Sequence, residues 1–209
     1  IGEVRTMDEF LQQVVDNMRK NEFEVVELHT AQEACDYLNE HIAAGKTVGV
    51  GGSVSVRATG ILEKLQEKGC TVYSHWGVPK EEVNPIRRKA IGADVYLCSA
   101  NAVTRQGQLV LIDGAGNRAA AVCFGPEQVY FVISHSKVVD GGINTAIARI
   151  KKTACPPNAR RQGLDTACAR TGMCGPDCHD SMCRLTLAVD RAPRGRKITV
   201  LFVEETLGY

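Results

Sequence analysis

No stretch of the 209 residues approaches the roughly 20 consecutive apolar positions that a membrane helix needs. Charge of one sign is lacking too: 25 Lys and Arg stand against 24 Asp and Glu, a net +1. So balanced a chain has no electrostatic footprint for a nucleic acid or an anionic membrane, and neither is expected as a partner. Nothing visible resembles a targeting segment, and the expected location is the cytoplasm. There is no internal repeat and no low-complexity tract. G-x-G-x-x-G, the P-loop, a Ser-His-Asp triad and a Cys-His pair are all missing, which removes the usual sequence handles on dinucleotides, nucleoside triphosphates and hydrolysis. No C-x2-C pair exists, although structural zinc sites usually come as two close cysteine pairs.

What is present begins with enough apolar sequence for a sizeable core, 44% of residues. Helical spacing is clear in DEFLQQVVDNMRK (8–20), where Phe10, Val14 and Met18 recur every four residues. FEVVEL (23–28) reads as a strand. Thr30 and Glu33 form a capping box for the helix that follows. TVGVGG (47–52) is a short buried strand running into glycines, and RATGILEKLQEK after it is helical. CTVYS, ADVYLCSA, QLVLID and QVYFVIS are further strands, and PKEEVNPIRRKA and INTAIARIKK further helices. This alternation predicts an α/β fold, Rossmann-like, with a mostly parallel sheet covered by helices on both faces. It holds over 1–152. The remainder, 153–209, reads as a cysteine-rich loop followed by a β-hairpin, LTLAVD turning through APRG into ITVLFVEE, packed on the same domain.

Cysteine usage is the informative deviation. Of nine, Cys35, Cys70, Cys98 and Cys123 lie scattered in helix- or strand-like segments and read as small buried hydrophobes. Cys155, Cys168, Cys174, Cys178 and Cys183 crowd into CPPNARRQGLDTACARTGMCGPDCHDSMCR. A chain with a good core and no secretory signal has little need of disulfides, so clustered thiols read as metal ligands. From Cys168 the spacing is C-x5-C-x3-C-x4-C. It suits an iron–sulfur cluster, foremost [4Fe–4S], which needs thiolates but accepts varied spacing. Zinc is the alternative and disulfides a third reading. Cys155, separated from the next cysteine by twelve residues, is a possible extra ligand, and His179 a weaker one. Pro156, Pro157 and Pro176 favour a chain that folds back on itself. Arg160, Arg161, Arg170 and Arg184 offset the charge of an all-thiolate cluster.

Elsewhere, Gly51, Gly52, Ser53 and Ser55 sit between a strand and a helix start, where backbone N–H groups and the helix dipole favour an anion. SANAVTRQGQLVLIDGAGNR contributes Asn101, Asn117 and Arg118 to the same expected carboxylate or phosphate site. Arg118 has a second reading, a simple pair with Asp113. Asp113, at a strand end, and His135, just past another with Lys137 beside it, are the catalytic candidates, because ligands of open α/β sheets bind beyond the C-terminal ends of strands.

Taken together, VGVGGS, GADVYLCSANAVT, GNRAAAVCFGP, AIARIKK, NARR, CARTGMC and EETLGY resemble the LUD (lactate-utilisation) domain family, in its short branch with a cysteine-rich tail. The resemblance implies a fold like that of ribose-5-phosphate isomerase and CoA transferases. It also implies a link to lactate oxidation, where related proteins accompany iron–sulfur partners. The chain departs from the family's pattern at Ala58 and Arg105, where glutamates are expected, and at Arg184, where the pattern has asparagine. The leading function is an iron–sulfur protein of small organic acid metabolism, a redox or Lewis-acid enzyme or subunit. The competing readings are a metabolite- or redox-sensing protein and a sugar-phosphate isomerase-like enzyme with a structural metal. Expected partners are a small anionic metabolite, an iron–sulfur or redox protein, and a second copy of the chain in a homo-oligomer.

Overall fold

The computed structural model describes residues 7–175, Cys178 and 181–209. The strands in chain order are β1 (Glu24–Leu28), β2 (Thr47–Val50), β3 (Thr71–Tyr73), β4 (Val95–Cys98), β5 (Ala102–Val103), β6 (Leu109–Asp113), β7 (Gln128–Ser134), β8 (Leu185–Val189) and β9 (Lys197–Val203). The α-helices are α1 (Met7–Lys20), α2 (Ala31–His41), α3 (Val54–Ala58), α4 (Ile61–Glu67), α5 (Lys80–Ile91), α6 (Asn117–Phe124), α7 (Ile143–Arg149), α8 (Cys155–Arg161) and α9 (Ala167–Thr171). Six strands form one parallel sheet in the order β1-β9-β7-β4-β2-β3. The fold is therefore α/β and Rossmann-like.

Both sheet faces are buried, and the pleat divides the strand residues between them. In β4, β7 and β9, Tyr96, Cys98, Val129, Phe131, Ile133, Val200 and Phe202 pack with Val14 and Met18 of α1, Ala90 of α5 and Val122 of α6. Their neighbours Val95, Leu97, Tyr130, Val132, Leu201 and Val203 pack with Leu38 of α2, Val56 of α3 and Leu65 of α4. The capping box expected for α2 is realised on the Thr30 side, while Glu33 reaches past the cap. Thr30 Oγ1 accepts from Glu33 N at 3.2 Å, and Glu33 Oε2 accepts from His29 N at 2.6 Å, one residue before the cap. The helix expected after the glycine loop is split into α3 and α4 by Gly60, whose φ of +71° is left-handed.

Two expectations for the last quarter of the chain are corrected. The hairpin does not form. β8 pairs antiparallel with β6, which also pairs with β5, in a separate three-stranded sheet. β9 instead inserts between β1 and β7. The reason is burial: six of the seven residues of β9 are buried, so it needs cover on both faces, whereas β8 is largely exposed and suits an edge. Nor is 153–183 wholly irregular. A π-helical turn, Ile150–Ala154, extends α7 into α8, and α9 follows after a short connection. Pro156 and Pro157 fall in the first turn of α8, directly after the π-helical turn that Cys155 N closes on Ile150 O. Thr166 Oγ1 caps α9 by accepting from Ala169 N, and Gly172, at φ +79°, closes it. Helices of one or two turns leave no apolar periodicity to read. Ile150, Ala154 and Cys155 join Ala102, Val110 and Ala146 in a small third core beneath the second sheet.

Gly49, inside β2, marks where α5 rests on the sheet: an added Cβ would stand on the Ala90 carbonyl and 2.8 Å from Tyr96 Cδ2. Both obstacles are buried and one is backbone. Gly49→Ala is expected to cost about 1–3 kcal/mol through overpacking, read as a lower urea midpoint at unchanged slope.

Candidate functional site

In the parallel sheet the chain runs outward from β2 to β3, then returns to lay β4 on the other side of β2. The loops leaving β2 and β4 thus diverge, which opens a crevice beyond their C-terminal ends. A cavity of about 580 Å³ occupies it. Gly52–Ser55 follow β2, His75–Gly77 follow β3, Ser99–Asn101 follow β4 and Lys137 follows β7. Asp113 to Ala115 and Arg118 come from the end of β6 and from α6, while Asn158 and Arg161 descend from α8. Of the residues expected to bind an anion, Gly52, Ser53, Ser55, Asn101, Asn117 and Arg118 do line this one cavity, as does Asp113.

Gly51 lies beneath instead, its N–H spent on Leu97 O at 2.9 Å, and a Cβ added there would stand 3.3 Å from Tyr96 Oη and 3.4 Å from Cys98 Cβ, a tight fit. His135 lines neither this cavity nor the cysteine-lined one, its ring 4.1 Å from that of Phe202. Lys137, two residues further in the same 3₁₀ turn, points the other way and reaches the cavity. Arg105 stays clear of both cavities, paired with Asp140 and over the Phe10 ring. Ala58 merely ends α3.

Arg118 and Asp113 carry the floor. Both are 8% exposed. Arg118 Nε and Nη2 donate to Asp113 Oδ1 at 2.9 and 2.6 Å, Nη1 to Ser99 O at 2.9 Å, and Nη2 also to Asn101 Oδ1 at 2.7 Å and Ile112 O at 3.0 Å. Asp113 Oδ2 accepts from Ala119 N at 2.8 Å and so caps α6. The pairing of Arg118 with Asp113 is therefore realised, and its guanidinium is largely committed to the protein. α3 is only five residues long and its N-terminus is capped by Ser53 Oγ, so a helix dipole contributes little to the cavity.

Side-chain charge does more. Arg87, Arg118, Arg161 and Lys137 line the cavity; among the described residues Asp113 is its one acidic side chain, and it is already engaged. Arg161 lies over the Trp76 ring at 4.2 Å and Arg57 at 4.8 Å, which fixes the indole as a wall. His75 is held down to about 4, mainly by burial and then by Arg87 and Arg161, so it stays neutral at neutral pH. Lys137 is pushed down to about 7 by burial, then by Arg149 and Arg118. Trp76, His75, Arg87 and Arg161 were missed from sequence because no motif carries them. Only their distance from strand ends, known once the sheet order is fixed, could have found them.

A second cavity of about 340 Å³ is lined by Cys155, Cys168, Cys174, Cys178 and Cys183, with Lys151 and Thr166. Its wall toward the first cavity is shared: Ile112 and Met182 line both. Cys155 Sγ and Cys183 Sγ are 3.4 Å apart, and Cys168 Sγ is 3.2 Å from Thr166 Oγ1. The Cys183 thiol is lowered to about 6 by the Cys155 thiol, the Ser181 hydroxyl and Lys151, while Cys155 is driven well up as the pair's proton holder. Among the described residues, no three His, Cys, Asp or Glu side chains sit close enough to hold a single metal ion. His179 and Pro176 lie outside the described residues. Of the arginines expected to offset thiolate charge, Arg161 turns to Trp76, Arg160 to Ala169 O and Arg170 to Asp165, and Lys151 is the cation beside the thiols.

The floor makes a stability prediction. Asp113→Ala leaves Arg118 buried without its counter-charge and α6 without its cap, a loss expected at about 3–5 kcal/mol by chemical denaturation.

Similarity to known proteins agrees with this architecture. The chain superposes on the crystal structure of a DUF162 family protein from Deinococcus radiodurans with a TM-score of 0.54 at 13% identity, covering 95% of this chain and 99% of that one. At that identity the likeness speaks for the fold alone. No curated protein matches the chain significantly. The LUD domain profile matches residues 11–203, from within α1 to the end of β9. A match of that extent places the chain in the LUD domain family.

Proposed function

We propose that this LUD domain protein binds a small carboxylate in the polar cavity, carries an iron–sulfur cluster in the cysteine cavity, and serves small organic acid metabolism of the lactate type. The observation that carries the reading is adjacency: a cation-lined cavity and a five-thiol cavity share Ile112 and Met182 as a common wall.

The donor set fits a cluster better than a single ion. Among the described residues the candidate ligands are all thiols around one void, yet no three donors converge as tetrahedral zinc requires. A cubane spreads its ligands wider than one ion does. Cys168, Cys174, Cys178 and Cys183 would hold it, with Cys155 beside Cys183 as a fifth thiol. When bound, such a cluster supplies electron transfer, or Lewis acidity if one iron is left without a thiolate. Lys151 offsets part of the anionic charge.

Among the described residues, the cavity's Arg161 and Arg87 guanidiniums pair with no carboxylate, and they suit the bidentate recognition that a carboxylate invites. Trp76, held by Arg57 and Arg161, closes one side against water. A phosphate would be recognised by the same groups, so the test includes both anions.

Anaerobically prepared protein is expected to contain iron and sulfide with broad visible absorbance. Serine at Cys168, Cys174, Cys178 or Cys183 should sharply lower bound iron, and unchanged iron with all four replaced would refute the cluster. Separately, Arg161→Ala should weaken lactate or pyruvate binding by about ten- to a hundredfold, the scale of one charge-assisted hydrogen bond, in calorimetric titration. If inorganic phosphate binds and neither carboxylate does, the organic-acid assignment falls.

A further inference from the structure

The polar cavity contains an ionisable group for which anion binding gives no role. Lys137 is 3% exposed, and its Nζ donates to Ser55 Oγ at 2.8 Å, Ser99 Oγ at 3.0 Å and Ala100 O at 3.4 Å. Those three residues and Lys137 all line the cavity, so the amine sits at its floor rather than in the core behind it. A buried lysine is ordinarily paired with a carboxylate. Here no carboxylate pairs with it among the described residues, and the charges that act on it most, Arg149 and Arg118, are positive. Ser55 Oγ in turn donates to Leu207 O at 3.0 Å, which holds its lone pairs toward the amine.

Buried amines flanked by cations are the ones that act as nucleophiles toward carbonyl carbon, because a large fraction is unprotonated at neutral pH. We propose that Lys137 is the nucleophile of this cavity and that its substrate class is a 2-oxo acid, whose carboxylate is held by the cavity's cations while its carbonyl carbon meets Nζ. The inference rests on the carboxylate reading of the cavity and narrows it. In the step, the Nζ lone pair forms a C–N bond as the carbonyl π pair moves to oxygen. A proton passes from nitrogen to that oxygen, with the Ser55 and Ser99 hydroxyls within reach, to give a carbinolamine. Water then leaves. Overall, one amine, one carbonyl and one proton give one iminium and one water, with no oxidant or reductant. A 2-oxo acid is also the oxidised counterpart of a 2-hydroxy acid, so the class agrees with metabolism of the lactate type.

The groups facing the amine predict its pH response. They are Ser55 on α3, Ser99 after β4, Arg118 on α6 with its partner Asp113 at the end of β6, and Arg149 on α7. Only the amine itself changes charge near neutrality, so its reactivity should rise as pH increases through about 7.

The test is reductive trapping. Full-length protein, prepared anaerobically, is mixed with pyruvate and sodium cyanoborohydride, digested, and mapped by mass spectrometry, with lactate as the carbonyl-free control. One N-(1-carboxyethyl) group is expected on the Lys137 peptide, formed more than about a hundredfold faster than on exposed lysines, which are almost wholly protonated. It should be absent with lactate and absent in Lys137→Arg, which should keep its bound iron. Mapping the wild-type protein decides the matter even if that variant misfolds. Pyruvate binding in calorimetry without an adduct on Lys137, or adducts on exposed lysines alone, would overturn the inference and leave the carboxylate site standing. If neither pyruvate nor lactate binds, the carboxylate reading fails and the inference fails with it.

Discussion

The buried pair of Arg118 and Asp113 is the interaction on which the rest of the site depends. Its hydrogen bonds reach the strand-end carbonyl of Ser99, the Asn101 side chain, the backbone of Ile112 and the first turn of α6. They join the parallel sheet to the small antiparallel sheet at the point where the cavity opens. A hydrophobic contact could hold two sheets together but could not fix the direction of two strand ends. A planar guanidinium with several donors can, since each bond fixes an angle as well as a distance. The carboxylate is fully used in return, so the cavity inherits a floor without a free negative charge.

That arrangement determines the electrostatics above it. With Asp113 engaged, Arg87, Arg161 and Lys137 face the void with no opposing acidic side chain among the described residues, Arg161 exposed, Arg87 half-buried and Lys137 buried. The same condition acts oppositely on the two kinds of basic group. Guanidiniums remain charged, which is the basis of the anion site proposed above. A lysine amine gives up its proton more readily, and the His75 imidazole stays neutral. The proposed anion site and the proposed amine nucleophile thus draw on one cause, cations gathered at one cavity.

The cysteine cavity adjoins because the chain is threaded through the second sheet. α8 sends Arg161 and Asn158 into the polar cavity and Cys155 into the thiol cavity, and β8 pairs with β6 just beyond Met182 and Cys183. Cys155 and Cys183 therefore rest on a packed element, the small core of Ile150 and Ala154, while Cys174 and Cys178 lie outside helix and strand. Two cavities separated by two side chains are a consequence of one helix serving both.

Much of this was legible in the sequence. Alternating apolar segments gave the strands and helices, because side-chain periodicity is a local property of the backbone. The clustering of five cysteines and the placement of Asn101, Asp113 and Arg118 at strand ends were visible for the same reason. Strand order was not. β8 and β9 are adjacent in sequence and read as a hairpin, yet the burial of β9 places it between β1 and β7, a choice made by the whole sheet. The short helices at 150–171 stayed hidden because one or two turns carry no period. The cavity's cations were hidden for a deeper reason. Arg87, Arg161 and Lys137 come from α5, α8 and the turn after β7, far apart in the chain, and their proximity to one another and distance from carboxylates exist only once those elements have packed. Sequence alone determined which chemical groups the protein possesses and the local structure that carries them. The tertiary structure decided which groups share a space and how far water is excluded from it, and charge and nucleophilicity depend on that exclusion.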